Sequence, residues 1–473
     1  MSRHLSFAFL LGVAWLCGCG TIFSARQAQM ALDPKGCGTE RNADKLSLAD
    51  YSLKELVEFA MTNRPSVVAA ALEVADARLA LREIAADAPL VSGSLWTAPH
   101  LSLSGGYSAS SAASASRLQW ETEGNASAGL SLDVLLYDFG RNQAQADAQI
   151  ERVIAAELEL VREGYRVFED VSVAYFDLMT QDALLDVAIT NEAEFATHLE
   201  EAENRLAAGE AQRLDVTRAR LDLSQAREAT IAASNKVITS GAELMRALGV
   251  DASRGTRDEV YPSAGAALDQ VVKGFARTRY SIDEAFQLAR TNAPAMAVAR
   301  AQLRAASYRV DYAVADLMPS LSAEIGLNWA DPLWAWHWGV NGVQSIFQGF
   351  RKVTAVDRAV VAMHSAAANV DEVEQQLSLD LEVALANRDN AVKALETARA
   401  SVASARENLA VVKAQYREGE ASRVDFTDAI SACATSLGSR VVAFYKGQVA
   451  EAKLFALIGR MPEYDEKVVR GKK

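Results

Sequence analysis

Asp425 and Asp428 stand three residues apart just after Gly419. That spacing puts two carboxylates on one face of a helix. Read from the chain alone, they are surface acids near a helix start, where the helix dipole favours them. Other paired acids along the chain have Lys and Arg nearby and read as solvated faces. The five histidines (4, 100, 198, 337, 364) are scattered singly and read as surface or lumen residues, not ligands. Cys37 and Cys433 are distant in sequence and lack CxxC or zinc spacing. There is no P-loop, no GxGxxG after a strand, no HExxH and no GxSxG. No catalytic constellation emerges, so an enzyme is not expected, nor a metal site or a cofactor.

The N-terminus carries a different chemistry. Arg3 is followed by an apolar run from Leu5 to Leu16, too short to span a bilayer, which reads as a secretion signal. It ends in Leu16-Cys17-Gly18-Cys19, which resembles a bacterial lipobox in which Cys19 becomes the acylated N-terminus. Residues 1–18 are then the signal peptide. Residues 19–45, with Pro34, Gly36 and Gly38 and no periodicity, read as an extended leader. No other apolar run is long enough for a membrane helix.

The elements that place these residues come from an internal repeat. No proline interrupts 101–261 or 333–461, so both stretches are free to be helical for a long way. Arg205-Leu-Ala-Ala-Gly209-Glu-Ala-Gln-Arg-Leu-Asp215 matches Gln415-Tyr-Arg-Glu-Gly419-Glu-Ala-Ser-Arg-Val-Asp425 at an offset of 210 (419 − 209). The same offset joins Tyr137-Asp-Phe-Gly-Arg141 to Phe347-Gln-Gly-Phe-Arg351, and Leu248-Gly249 to Ile458-Gly459. Two copies of one unit follow, each a long antiparallel hairpin of helix, Gly turn and helix. A second duplication, Tyr51-Ser-Leu-Lys-Glu55 with Asn63-Arg-Pro65 against Tyr280-Ser-Ile-Asp-Glu284 with Asn292-Ala-Pro294, gives each copy a capped short helix and a proline-started one. Leu395, Ala398, Val402, Ala405, Leu409, Val412 and Tyr416 alternate spacings of three and four, a coiled-coil seam. A helix from 140 to 208 would be roughly 100 Å long at 1.5 Å per residue, a length suited to crossing a wide compartment.

Period-two alternation marks strands near 99–107, 126–136, 320–329 and 334–346, each with one apolar and one small polar face. The Ser/Ala-rich stretch 108–124 reads as a long loop, against a tight turn at Asp331-Pro332. Every Trp outside the signal (96, 120, 329, 334, 336, 338) lies in or beside these segments. Aromatics concentrated there favour a membrane girdle over a soluble sheet packed on helices. The expected organisation is a first repeat over 46–249, a connector over 250–279, a second repeat over 280–460 and a tail over 461–473. A formal charge of −13 argues against nucleic acid.

Taken together, the duplicated Tyr-Ser-x-x-Glu and Asn-x-Pro, the Tyr137-Asp-Phe-Gly-Arg141 junction and the turn Tyr416-Arg-Glu-Gly419 through Asp425-Phe-Thr-Asp428 resemble the TolC family of outer-membrane channels. The lipobox points to its lipid-anchored branch. The resemblance implies a mainly α chain with a membrane β-barrel portion. Four strands per chain cannot close a barrel, since known membrane barrels start at about eight; three chains would give one barrel and one α-helical tunnel. It implies a passive conduit in the outer membrane that extends into the periplasm and is coupled through a periplasmic adaptor to an inner-membrane pump. An exit duct for type I protein secretion is the alternative within the family, and a periplasmic coiled-coil adaptor the alternative outside it. The resemblance makes Gly209 and Gly419 the adaptor-contact tips. It makes Tyr416 and Asp215 a bonded pair between neighbouring hairpins at a periplasmic gate, and Asp425 and Asp428 lumen acids. The family arginine two residues after the glycine is Ala421 here, which implies either a weaker lock or a substitute in Arg417 or Arg423.

Overall fold

In the computed structural model the described residues are 52–86, 100–113, 120–209, 212–250, 281–330, 333–345 and 347–459. Cys19, Cys37, the leader, most of the connector and the tail lie outside them. Each repeat opens with a short helix, α1 (Leu53–Asn63) or α5 (Ile282–Asn292), and a longer one, α2 (Pro65–Ala86) or α6 (Pro294–Ala315). Strands β1 (His100–Ala113) and β2 (Trp120–Tyr137) follow in the first repeat, β3 (Ser320–Ala330) and β4 (Leu333–Val343) in the second. Then come the hairpins: α3 (Arg141–Ala207) with α4 (Arg213–Ala247), and α7 (Arg351–Glu418) with α8 (Arg423–Ile458).

Local chemistry sets these boundaries. The Ser52 and Ser281 hydroxyls accept from the backbone N–H of Glu55 and Glu284, and each Glu accepts from its serine's N–H, closing two capping boxes. Asp138 does the same service for α3, accepting from Gly140 N–H and Asn142 N–H at 3.2 and 2.7 Å. At 67 and 68 residues, α3 and α7 hold together by packing, not propensity. The two hairpins lie side by side, with α3 against α8 and α6 bridging α3 and α7.

The waist explains why both repeats keep Leu/Ile-Gly at one end and Asn-x-Pro at the other. Gly459 has φ +73°, and a Cβ there would sit 2.6 Å from the Asn292 carbonyl oxygen. Gly249 packs in the same way against Asn63 and Arg64. Each hairpin therefore ends by pressing bare backbone onto the joint between its own repeat's first two helices. Leu56 and Val57 of α1 enter the core beside Phe176 and Leu244, while Ala285 and Ala289 of α5 enter a second core beside Leu381 and Ile458.

The strands form one antiparallel sheet in the order β1-β2-β3-β4, so β1 and β4 are open edges. Register lines up rows such as Leu103, Leu130, Leu327 and Trp336 on one face and Ser102, Ser131, Gly326 and His337 on the other. Trp334, Trp336 and Trp338 are 61%, 72% and 70% exposed, so the described residues leave the apolar sheet face uncovered. The first hairpin corrects the sequence reading. Residues 108–113 and 120–124 are not loop but strand, with the ladder running on to Ala113 and Trp120. Backbone pairing with a neighbouring strand suffices to extend it, although the Ser and Ala of 108–113 and the Glu and Gly of 120–124 give little strand signal. β4 ends at Val343 instead of 346. Asp331 and Pro332 lie outside the described residues. No described helix is long and apolar enough to cross a membrane.

Candidate functional site at the hairpin tips

Both hairpins turn on a glycine with positive φ, +81° at Gly209 and +79° at Gly419. At Gly419 that conformation caps α7, with the N–H donating to the Tyr416 carbonyl at 3.2 Å and Glu420 N–H to that of Gln415 at 2.9 Å. Any other residue would place a Cβ in the disfavoured left-handed region.

Beyond the turns the capping chemistry repeats. Asp425 accepts from Ser422 N–H at 3.2 Å and from its hydroxyl at 2.7 Å, while Ser422 Oγ accepts from Asp425 N–H. Asp215 accepts from Gln212 N–H at 3.2 Å. Both aspartates thus start their second helix, which accounts for the matching Asp in each repeat. Asp428, one turn on, has no such duty, since its counterpart is Arg218. Asp425 and Asp428 are both exposed, on one face, and Asp215 is half-buried.

Tyr416 occupies a more enclosed place. It is 7% exposed and stacks on Phe426, with centroids 4.9 Å apart and planes 12° from parallel. His198 of the first hairpin meets both rings edge-on, at 5.4 Å from Tyr416 and 5.1 Å from Phe426. Phe195, Leu223 and Ile430 complete this small core between the hairpins. Burial pushes the Tyr416 phenol above its ordinary pKa; Arg205 pulls it down and the Asp215 carboxylate of the same chain pushes it up further.

Arginines tie the hairpins together around that core. The Arg205 guanidinium lies 4.6 Å over the Tyr416 ring and donates to the carbonyls of Tyr416 and Arg417 at 2.6 and 3.0 Å. A cation at the last carbonyls of α7 also complements that helix's dipole. Arg417 pairs with Glu201 at 3.0 Å and Arg423 with Asp222 at 2.8 Å. Both candidates for the missing arginine therefore bridge the hairpins, and Ala421 packs against the aromatic core.

Sequence reasoning missed two members of this site. His198 was expected at a surface or in a lumen, yet it is 1% exposed, because α3, α7 and α8 converge on it. Its spacing of three residues from Phe195, which puts both on one helix face, was the available signal. Arg205 had no signal beyond its spacing from Gly209. Among the described residues, no group of three or more His, Cys, Asp or Glu could hold a metal ion.

Comparison with known proteins agrees with this architecture. A membrane protein from Pseudomonas aeruginosa is 22% identical, with 87% of this chain and 91% of that one covered and a TM-score of 0.72. CusC, described in terms of transmembrane channel formation, is 21% identical over 90% and 96%, with a TM-score of 0.74. The outer membrane protein VceC from Vibrio cholerae is 16% identical over 86% and 96%, with a TM-score of 0.72. At these identities the likeness shows the fold. No curated protein matches the sequence. The profile of the family described as outer membrane efflux protein matches residues 56–250 and 285–460, both repeats. A match over that much of its length makes the chain a member of the outer membrane efflux protein family.

Proposed function

We propose that three copies of this chain close one β-barrel in the outer membrane and one helical tunnel beneath it. This trimer is a passive conduit, fed through a periplasmic adaptor by an inner-membrane pump. The observation that carries this reading is the open four-stranded sheet with an exposed, Trp-bearing apolar face. A sheet edge cannot face hydrocarbon, because its unpaired N–H and C=O groups would each cost several kcal/mol, roughly. Closing β4 of one chain on β1 of the next removes both edges. The polar face, with Ser102, Ser131 and His337, then lines the water path.

The tips at Gly209 and Gly419 are the surfaces for the adaptor. Tyr416 and Asp215 belong to the periplasmic gate, and Asp425 and Asp428, repeated three times, form acid rings that draw cations. Energy comes from the pump. Cys19 carries lipid that supplements the barrel's anchorage, since one chain anchors weakly alone.

Reconstitution in planar lipid bilayers tests this. The full chain should insert as stable, cation-preferring conducting units. A protein that binds the bilayer and never conducts, at any pH or voltage, would contradict the conduit.

A further inference from the structure

His198 sits in the aromatic core that joins the two hairpins, against Tyr416 and Phe426. It is 1% exposed, and neither Nδ1 nor Nε2 meets a hydrogen-bond partner. A neutral imidazole tolerates that poorly; an imidazolium, with two N–H donors to satisfy, tolerates it far less.

We propose that His198 is a proton-operated wedge at the gate: acid protonates it, the core it shares with Tyr416 and Phe426 separates, and the tips of the two hairpins part. This deepens the conduit reading and rests on it.

The surrounding charges leave an imidazolium nowhere to go while the core is shut. On its own helix α3 stand Glu201 and Arg205, on α4 Asp222, on α7 Arg417 beside Tyr416, and on α8 Arg423. Glu201 is engaged by Arg417 and Asp222 by Arg423. Arg205 spends its donors on the α7 carbonyls. The carboxylates nearest an imidazolium are already engaged by these arginines, so it would compete for the bridges between the hairpins. Protonation therefore weakens the joint twice, by placing charge in the core and by competing for its clasps. The copy-one position has no twin, as the second hairpin carries Asn408 there, so only the first hairpin brings a histidine to this core.

The sign follows from the burial. Burial chiefly holds the His198 pKa below its ordinary 6.5 in the closed core; Asp222 opposes this and Arg423 adds to it. Closure is then at full strength above the ordinary value, which a parted core would restore. It is lost progressively as pH falls from there to the lowered value, below which both states are protonated. Each pKa unit of lowering shifts the open–closed balance about tenfold per subunit in acid.

The test compares wild type with His198→Phe and His198→Gln, neither of which titrates, in planar bilayers stepped from neutral pH to about pH 5. Wild-type conductance should rise several-fold and reversibly, and the variants should stay flat. Asp425→Asn with Asp428→Asn should keep the rise, since the rings are not the wedge. An equal rise in both His198 variants would overturn the proposal while leaving the conduit standing. If nothing conducts at all, the conduit reading fails separately. Hydrogen exchange of residues 195–206 and 412–430 then decides the wedge: acid should loosen them in wild type alone, and equal loosening in the variants overturns it.

Discussion

Arg205 and Tyr416 come from different repeats, 211 residues apart, and form one clasp. The guanidinium covers the Tyr416 ring at 4.6 Å and reaches that residue's carbonyl at 2.6 Å. The bond to a charged donor and the cation–π contact act together. Arg205→Ala should therefore destabilise the joint by about 1–2 kcal/mol. In a double-mutant cycle with Tyr416→Leu, thermal unfolding should show a coupling of about 1 kcal/mol. Arg205→Lys should recover only part of it, lacking the planar fork. Additive losses would mean that the two residues act separately.

Gly459→Ala should be far more damaging than Gly209→Ala, although both glycines have positive φ. A Cβ at 209 meets nothing within 4 Å, so its cost is the left-handed strain alone, roughly 1 kcal/mol. A Cβ at 459 also collides with the Asn292 backbone, and relieving that must move the α5–α6 joint. Unfolding midpoints of the two variants, measured side by side, check the ranking.

The same waist shows what could be read in advance. Ser52–Glu55, Ser281–Glu284, the Asn-x-Pro joints and the glycine turns were legible because each is a local device with a fixed spacing. The apolar face of the sheet was legible through period two. The reach of β1 through 108–113 was not, because Ser and Ala leave no alternation to count, nor that of β2 through 120–124, where Glu121, Glu123 and Gly124 are residues that strands disfavour. Phe139 and Phe350 adopt positive φ, where a bulky residue is the last expected, and only the strand-to-helix junction around them fixes it. The site divided likewise. The shared helix face of Asp425 and Asp428 follows from spacing, whereas the meeting of His198, Arg205, Tyr416 and Phe426 depends on how two hairpins dock.

Asp425→Asn combined with Asp428→Asn should lower cation preference and relieve block by multivalent cations in planar bilayers. Asp425 also closes the α8 capping box, so Asn there should cost a few tenths of a kcal/mol. Asp428→Asn alone should change selectivity without that cost. Unchanged reversal potentials in the double variant would place the constriction elsewhere.

Cys19→Ser should slow maturation and leave some channel in the membrane, because the barrel supplies most of the affinity. Intact mass spectrometry of the mature wild-type chain should show acyl mass on an N-terminal cysteine. An unmodified mature N-terminus would remove the lipid from the account.

The central claim is that one chain supplies four strands of a shared barrel. Native mass spectrometry of the protein extracted in mild detergent measures this directly. The account predicts a single species with the mass of three chains, losing its β signal when dissociated. A monodisperse single chain that retains full β content would contradict it, because the open edges of β1 and β4 would then be stable alone.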